Sequence, residues 1–323
     1  MYIRREQKMR TKNPLLSIII PVHNEYGNLN WHAKKITEYL TNNGIRAEII
    51  YVDDGSTDDS LEIIQNLAKK EKNTSYISLS RNFGKEAATS AGMKQSKGDA
   101  VLLIDADGQH PIEYVEELLK QWQKGFDVVI GVRTGNKNEG FVKRYGSRIH
   151  NKVLNSLTGT QTPSGSTDFR LIDRRVVDEF NKLTEHNRIT RGLIDWLGFK
   201  RTFVDFTSPE RHSGKATYSF RKLVRLALHS FTSQSTKPLQ FTGLLGFLVT
   251  ITSALLGIFL LVEAFVLSDP LNLAISGTAM LALFLSFLVG LVLICQWLLA
   301  LYIESIHSET QNRPLYIIAK KSE

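Results

Sequence analysis

Two long charge-free stretches near the C-terminus restrict this chain more than any other feature. Gln240 to Val262 is a run of 23 residues without Asp, Glu, Lys or Arg, and Pro270 to Ile303 is a run of 34. At about 1.5 Å per helical residue the first covers about 35 Å, enough for a hydrocarbon core of about 30 Å. The second crosses with tilt to spare. Buried helices of a soluble core rarely go so far without a charge. The pair therefore predicts a two-helix transmembrane hairpin, with spans in 239–267 and 271–303 and a short link from Glu263 to Asp269.

The flanks orient it. Arg221, Lys222, Arg225 and Lys237 precede the first span, Arg313, Lys320 and Lys321 follow the second, and the link has no Lys or Arg. By the positive-inside rule both flanks are cytoplasmic. The expectation is a multi-pass inner-membrane protein whose main domain and tail (304–323) face the cytoplasm. The basic segment 1–14 is followed by no signal-type apolar region, so no signal peptide is expected. In 219–238, Phe220, Leu223, Val224, Ala227, Leu228 and Phe231 recur at helical spacing with Arg221, Lys222, Arg225 and His229 between them. That pattern predicts an amphipathic helix lying in the headgroup layer.

Charge divides the chain the same way. Residues 1–238 hold 37 Lys+Arg against 27 Asp+Glu, and 239–323 hold 3 against 5. A basic domain next to an anionic leaflet is attracted to it. No stacking-aromatic motif or recognition-helix pattern accompanies the basic charge, so no nucleic-acid partner is expected. The single cysteine, Cys295, excludes a disulfide framework and a Cys-based zinc site.

Residues 15–218 alternate strand and helix. Leu15–Val22, Ala47–Val52, Tyr76–Leu79, Ala100–Ile104 and Asp127–Gly131 have strand character. Helices are expected near Asn28–Thr41, Asp58–Lys70 (with an Asp cap), Lys85–Gln95 and from Pro111 to Lys124. Alternation of this kind predicts an α/β domain with a mostly parallel sheet. Ligands in such sheets sit beyond the carboxyl ends of the strands.

The polar motifs fall at those ends. Asp105-Ala-Asp107 follows the fourth strand, and paired carboxylates there suit Mg²⁺ or Mn²⁺ bridged to substrate phosphates, with Gln109 offering an amide oxygen. Asp53-Asp54-Gly55-Ser56-Thr57-Asp58 follows the second strand and can bind base N–H or ribose hydroxyl groups, although Ser56 and Asp58 also suit a turn and helix cap. Pro21-Val-His-Asn-Glu25 closes the first. No G-x-G-x-x-G follows the first strand and no G-x-x-x-x-G-K-[ST] occurs, so a dinucleotide fold and a P-loop nucleotidase are not supported.

Ser17-Ile-Ile-Ile-Pro-Val-His-Asn-Glu25, Val52-Asp-Asp-Gly-Ser-Thr-Asp58, Ser80-Arg-Asn-Phe-Gly-Lys85, Asp105-Ala-Asp-Gly-Gln109 and Thr167-Asp-Phe-Arg-Leu171 occur in that order. Together they resemble family 2 glycosyltransferases of the polyprenyl-phosphate branch, which includes bactoprenol glucosyltransferases and dolichyl-phosphate mannose synthases. The hairpin and the tail Arg313-Pro-Leu-Tyr-Ile-Ile318 resemble the bactoprenol type, and the likeness covers about residues 15–318.

The resemblance implies a GT-A fold and inverting transfer of a hexose, glucose by default, from a UDP-sugar to undecaprenyl phosphate. It implies that Pro21, Asn24, Glu25 and Asp54 line the nucleoside pocket with Asp53 nearby, and that Asp105, Asp107 and Gln109 hold a divalent metal on the diphosphate. Arg81 and Lys85 would shape the donor and acceptor pocket, and Asp168 and Arg170 would face the sugar and the acceptor phosphate. The family's Arg-x-x-Gly-x-Ser-Lys-Tyr reads Arg211-His-Ser-Gly-Lys-Ala-Thr-Tyr218 here. Arg211 keeps its phosphate-binding place, while Thr217 replaces the usual lysine and Lys215 is the substitute. His23 stands where tyrosine is common. A flippase partner and a homo-oligomer are compatible with the type.

The acceptor, a phosphate monoester with a second pKa near 6, is already a nucleophile at neutral pH. The site must align it and neutralise two phosphates brought together. Arg170, Arg211 and Lys215 are expected to serve the acceptor. A processive polysaccharide synthase is not expected, since no Gln-x-x-Arg-Trp is present. A non-catalytic, membrane-anchored binding protein would tolerate lost metal carboxylates, yet Asp105 and Asp107 are both in place.

Overall fold

The computed structural model describes residues 10–134 except 12, residues 163–209 except 164 and 187, residue 255, and residues 277–322. The chain falls into two compact units, Met1–Thr217 with Arg313–Glu323, and Tyr218–Asn312.

The described strands of the first unit are β1 (Leu16–Val22), β2 (Ala47–Asp53), β3 (Thr74–Leu79), β4 (Ala100–Leu103), β5 (Val128–Arg133), β6 (Ser166–Asp173), β7 (Arg201–Phe206) and β8 (Ile318–Lys321). The described helices are α1 (Tyr26–Asn42), α2 (Ser60–Lys70), α3 (Lys85–Gln95), α4 (Val115–Gln123), α5 (Arg174–Phe180) and α6 (Thr190–Trp196). All eight strands join one sheet in the order β7-β5-β6-β4-β1-β2-β3-β8. The pairs β1/β2, β1/β4, β2/β3 and β5/β7 are parallel, while β6 runs antiparallel to both β4 and β5 and β8 antiparallel to β3. The expected mostly parallel α/β sheet is present.

β1 sits at the centre because its run Ile18-Ile-Ile20 can be buried on both faces, and each of the three is 0% exposed. Burying one such side chain is worth about 2 kcal/mol. On one face α1 and α4 bring Leu29, Ile36, Leu118 and Trp122 against Ile18 and Ile20. On the other, Ala88, Ala91 and Met93 of α3 and Val176 and Phe180 of α5 pack with Ile19 and Ile50. Helix α3 carries small residues where a core helix usually carries large ones. At Gly92 a Cβ would lie 2.4 Å from Ile19 Cγ2, so only glycine lets the helix approach this closely.

Local details depart from the sequence expectations in small ways. Helix α2 begins at Ser60 with Asp59 at the N-cap, whose side chain makes no capping bond; Asp58, the expected start, lies two residues ahead and its Oδ1 accepts from Ser60 N–H at 3.0 Å. Pro111 leads first into a 3-10 turn, Ile112–Tyr114, and α4 follows. Of the basic extension, Arg10 is anchored: its guanidinium donates to Phe126 O at 2.7 Å and Asp127 Oδ1 at 2.8 Å and lies over Trp122. The tail, 304–323, was expected to be cytoplasmic; within it Ile318–Lys321 forms edge strand β8, continued by Ser80 N–H to Ile317 O at 2.9 Å and Tyr76 N–H to Ser322 Oγ at 3.0 Å. Its exposed Lys320 and Lys321 suit a sheet edge that must not pair further.

In the second unit Gly277–Thr310 is one 34-residue helix, α7, and residues 277–303 of it carry no Asp, Glu, Lys or Arg. The expected interfacial helix 219–238 and nearly all of the first span, 239–267, lie outside the described residues. Several α7 side chains also lie outside them, and among the described residues no helix is long and apolar enough to cross a membrane. The expected hairpin is therefore not shown.

Candidate active site

The carboxyl ends of β1, β2 and β4 and the start of antiparallel β6 lie side by side, and the polar motifs gather there. Asp53, at the end of β2, is 1% exposed. Its Oδ1 accepts from Ser56 N–H at 3.1 Å and its Oδ2 from Ser78 Oγ at 2.9 Å. Asp54 turns toward the β3–α3 loop, where its two oxygens accept from Phe83 N–H at 2.7 Å and Gly84 N–H at 2.9 Å. Burial raises the Asp54 carboxyl above its ordinary value, and these two amides work against that. Asp54 was expected to line the nucleoside pocket, and here its carboxylate is used to shape the neighbouring loop. Gly55 follows at φ +61, and a Cβ there would lie 2.4 Å from the Arg81 carbonyl carbon. The Asp-Asp-Gly sequence thus brings the β2 and β3 loops into contact.

The first strand end is similarly knitted. Asn24 adopts φ 56, its N–H donates to Ser56 Oγ at 3.1 Å, and its Oδ1 accepts from Thr57 N–H at 2.8 Å. His23 Nδ1 donates to Asp54 O at 3.0 Å, which leaves Nε2 to accept from Asn82 Nδ2 at 2.9 Å. Glu25 Oε2 accepts from Asn28 Nδ2 at 2.6 Å. Pro21 pairs with Val52 in the sheet, and the Arg81 guanidinium lies 4.1 Å over the Phe83 ring.

At the β4 end the Lys85 ammonium joins two carboxylates, Asp105 Oδ1 at 2.6 Å and Asp168 Oδ2 at 3.0 Å. The side chains of Lys85, Asp105 and Asp168 are 44%, 30% and 35% exposed, so the cluster opens to solvent. Burial acts to raise the Asp168 carboxyl, but the Lys85 ammonium, with Arg191 and Arg170, holds it well below the usual carboxylate range. Lys85 is pushed up by Asp105 and Asp168 against the opposing effect of burial. Asp107 Oδ1 accepts from Gln109 N–H at 3.0 Å.

Two more expected site residues are placed differently. Arg170 was expected to face the acceptor phosphate, yet it is 1% exposed and its Nη1 lies 3.2 Å from Asp195 Oδ1. Its position in β6 points it into the core side of the sheet, where it braces Asp195 and the Thr167 carbonyl (3.1 Å). Gln109 was expected to lend its amide oxygen to a metal, and that oxygen accepts from Arg133 Nη2 at 2.9 Å. Arg211 and Lys215 lie outside the described residues.

Three polar neighbours of this cluster escaped the sequence reading. His110 Nδ1 accepts from the Asp105 N–H at 3.1 Å, which makes the ring the Nε2–H tautomer, and Nε2 stands 3.9 Å from Asp105 Oδ2. Its ring stacks on Phe169 at 5.2 Å. Behind it His32 of α1 is 3% exposed, and its Nδ1 has no hydrogen-bond partner among the described residues. Burial pushes His32 down to about 4, against the pull of Asp107. Glu86 accepts from the backbone N–H of Thr190 at 2.9 Å and so ties α3 to α6. A histidine directly after Asp105-Ala-Asp-Gly-Gln109 was the available signal for His110; His32 and Glu86 had none, because their partners are remote in sequence.

Among the described residues no group of three or more His, Cys, Asp and Glu is arranged to hold a metal ion. The donors that remain, Asp105 and Asp107, are hard oxygens at one strand end, and Mg²⁺ or Mn²⁺ is commonly held by one or two carboxylates with substrate phosphates completing the shell. Lys85 at 2.6 Å from Asp105 shows that the spot already favours a cation. The residues fit such an ion.

The model of the glycosyl transferase family 2 matches residues 17–180. The uncharacterized glycosyltransferase YkcC of Bacillus subtilis (strain 168) is 34% identical over 304 residues, covering 94% of this chain and 93% of its own. The bactoprenol glucosyl transferase of Shigella phage SfII is 34% identical over 305 residues, covering 94% and 97%. Among solved structures, mannosyl-3-phosphoglycerate synthase from Rubrobacter xylanophilus aligns with a TM-score of 0.50 at 20% identity, covering 67% of this chain and 71% of that one, and bears on the fold alone. A sheet of GT-A type, with its acidic strand ends, and a sequence match that runs through β1 to α5 lead to one assignment: this chain belongs to glycosyl transferase family 2.

Proposed function

We propose that this glycosyltransferase moves a hexose, glucose by resemblance, from a UDP-sugar to a polyprenyl phosphate at the cytoplasmic face of the inner membrane. The observation that carries the reading is the meeting of Asp105, from the β4 end, and Asp168, from the β6 start, on one ammonium, Lys85. Donor-side and acceptor-side residues thereby share one solvent-open cluster. The near-full-length likeness to a protein named bactoprenol glucosyl transferase supports the choice of acceptor. The charge-free sequence runs Gln240–Val262 and Pro270–Ile303 support a membrane setting.

In this reading Asp105 and Asp107 would hold Mg²⁺ or Mn²⁺, which when bound supplies charge neutralisation for the leaving diphosphate. The nucleoside rests against the β1 and β2 ends, near Pro21, Asn24, Glu25 and Asp53. Asp54 acts by fixing the loop from which Arg81 and Lys85 project. The acceptor phosphate attacks the anomeric carbon from the opposite face, and the configuration inverts. It is dianionic near neutral pH, so no side chain need take its proton. Asp168 stays ionised at neutral pH and acts as an acceptor that orients Lys85. Arg211 and Lys215 bind the acceptor phosphate. Arg170 serves as a brace for β6 and α6.

The test is direct. Purified full-length protein is incubated with undecaprenyl phosphate, Mg²⁺ or Mn²⁺ and a panel of nucleotide-sugars, and the lipid fraction is read by mass. A hexosyl-phospholipid with UDP-glucose is the expected product. No product with any donor, from well-folded protein, overturns the reading.

A further inference from the structure

We propose that the Lys85 ammonium is a placeholder cation: in the ligand-free enzyme it bridges Asp105 and Asp168, and a divalent ion must displace it from Asp105 to bind. This rests on the reading of Asp105 and Asp107 as metal ligands.

Strand register is the first ground. β4 and β6 are antiparallel, with Ala100 opposite Asp173 and Leu103 opposite Arg170. Continued two residues beyond the ladder, that register sets Asp105 across from Asp168. Like charges directly opposite on neighbouring strands repel. The pairing is tolerated because an ammonium lies between them, 2.6 Å from one and 3.0 Å from the other. Without that ammonium the two carboxylates face each other unscreened, so Lys85 meets at Asp105 a need for positive charge that a hard cation can also meet.

The second ground is the mounting of Lys85. It is the first residue of α3, directly after the Phe83 and Gly84 amides that Asp54 holds. Its backbone is fixed, while its four-carbon stem is free to swing from one anion to another. The third is charge. Lys85 Nζ and a divalent ion cannot both sit against Asp105 without strong mutual repulsion. Entry of the ion therefore turns the ammonium towards Asp168 and the incoming phosphate. Metal binding on the donor side would in this way release a cation to the acceptor side.

The experiment measures Mn²⁺ binding to the full-length protein in detergent by electron paramagnetic resonance, with neither donor nor acceptor present. Lys85→Met and Lys85→Gln are expected to bind Mn²⁺ about tenfold more tightly than the wild type, within the usual range of coupling between sites. Lys85→Arg, which keeps the charge, should remain near the wild-type value. Adding Asp105→Asn to Lys85→Met should abolish the gain. The proposal is overturned if both neutral variants, with wild-type melting temperatures, bind Mn²⁺ no more tightly than the wild type, or if the gain survives Asp105→Asn. Because no substrate is present, a flat Mn²⁺ titration leaves the transfer reading standing, and a failed transfer assay leaves the titration interpretable.

Discussion

Asp168→Asn keeps the shape of the side chain and removes the charge that holds Lys85 at 3.0 Å. If Asp168 acts by orienting that ammonium, kcat should fall about 100-fold, in the range typical of lost electrostatic positioning, with little change in donor KM or melting temperature. Turnover near the wild-type rate with metal present would remove Asp168 from the site. His32 makes a prediction about stability. Unfolded, it titrates near 6.5; folded, it is held near 4 by burial. Between those values the unfolded chain binds the extra proton, so stability is complete above about 6.5 and declines as pH falls towards 4. The slope cannot exceed about 1.4 kcal/mol per pH unit for one group. Melting curves of His32→Leu between pH 7 and 5 should be flatter than those of the wild type. They will not be level, because burial also lowers His110.

At the scale of elements, the β3–α3 loop depends on one carboxylate. Asp54→Ala leaves the Phe83 and Gly84 amides without their acceptor and frees the segment that carries Arg81 and Lys85. Losing two charge-assisted bonds to a buried carboxylate should cost about 2–3 kcal/mol. Donor binding should weaken as well, which isothermal titration with UDP checks. An unchanged melting temperature would contradict the loop-holding role. The sequence suggested Asp54 as a nucleoside contact because the motif follows a strand. Its actual partners lie about thirty residues on, and nothing local in Asp53-Asp54-Gly55 names them. By contrast α3, expected near Lys85–Gln95 and found over that range, was legible because the Gly84 before it and the run of helix-compatible small residues are local signals.

For the whole molecule, the proposed spans make a simple prediction. The full chain should stay in the membrane fraction after alkaline carbonate extraction, as spanning proteins do and peripheral ones do not. Release into the supernatant would overturn the transmembrane reading and with it the expected topology. The first unit is closed by a strand from the far end of the chain. β8 pairs with β3 across more than 200 residues of sequence, so catalytic sheet and C-terminus are one folding unit.

What the sequence determined by itself is local or compositional. The apolar run Ile18–Ile20, the alternation of strand and helix through residue 131, the acidic residues at strand ends and the charge-free stretches are all read from neighbours within a few residues. Only the tertiary structure decided the rest: β6 inserted antiparallel between β4 and β5, β8 added at the edge, Arg170 turned to Asp195, and Lys85 set between Asp105 and Asp168. Those outcomes are choices among distant partners. They follow from which surfaces can be buried together and which charges must be neutralised when they are, and short-range propensity carries no information about either.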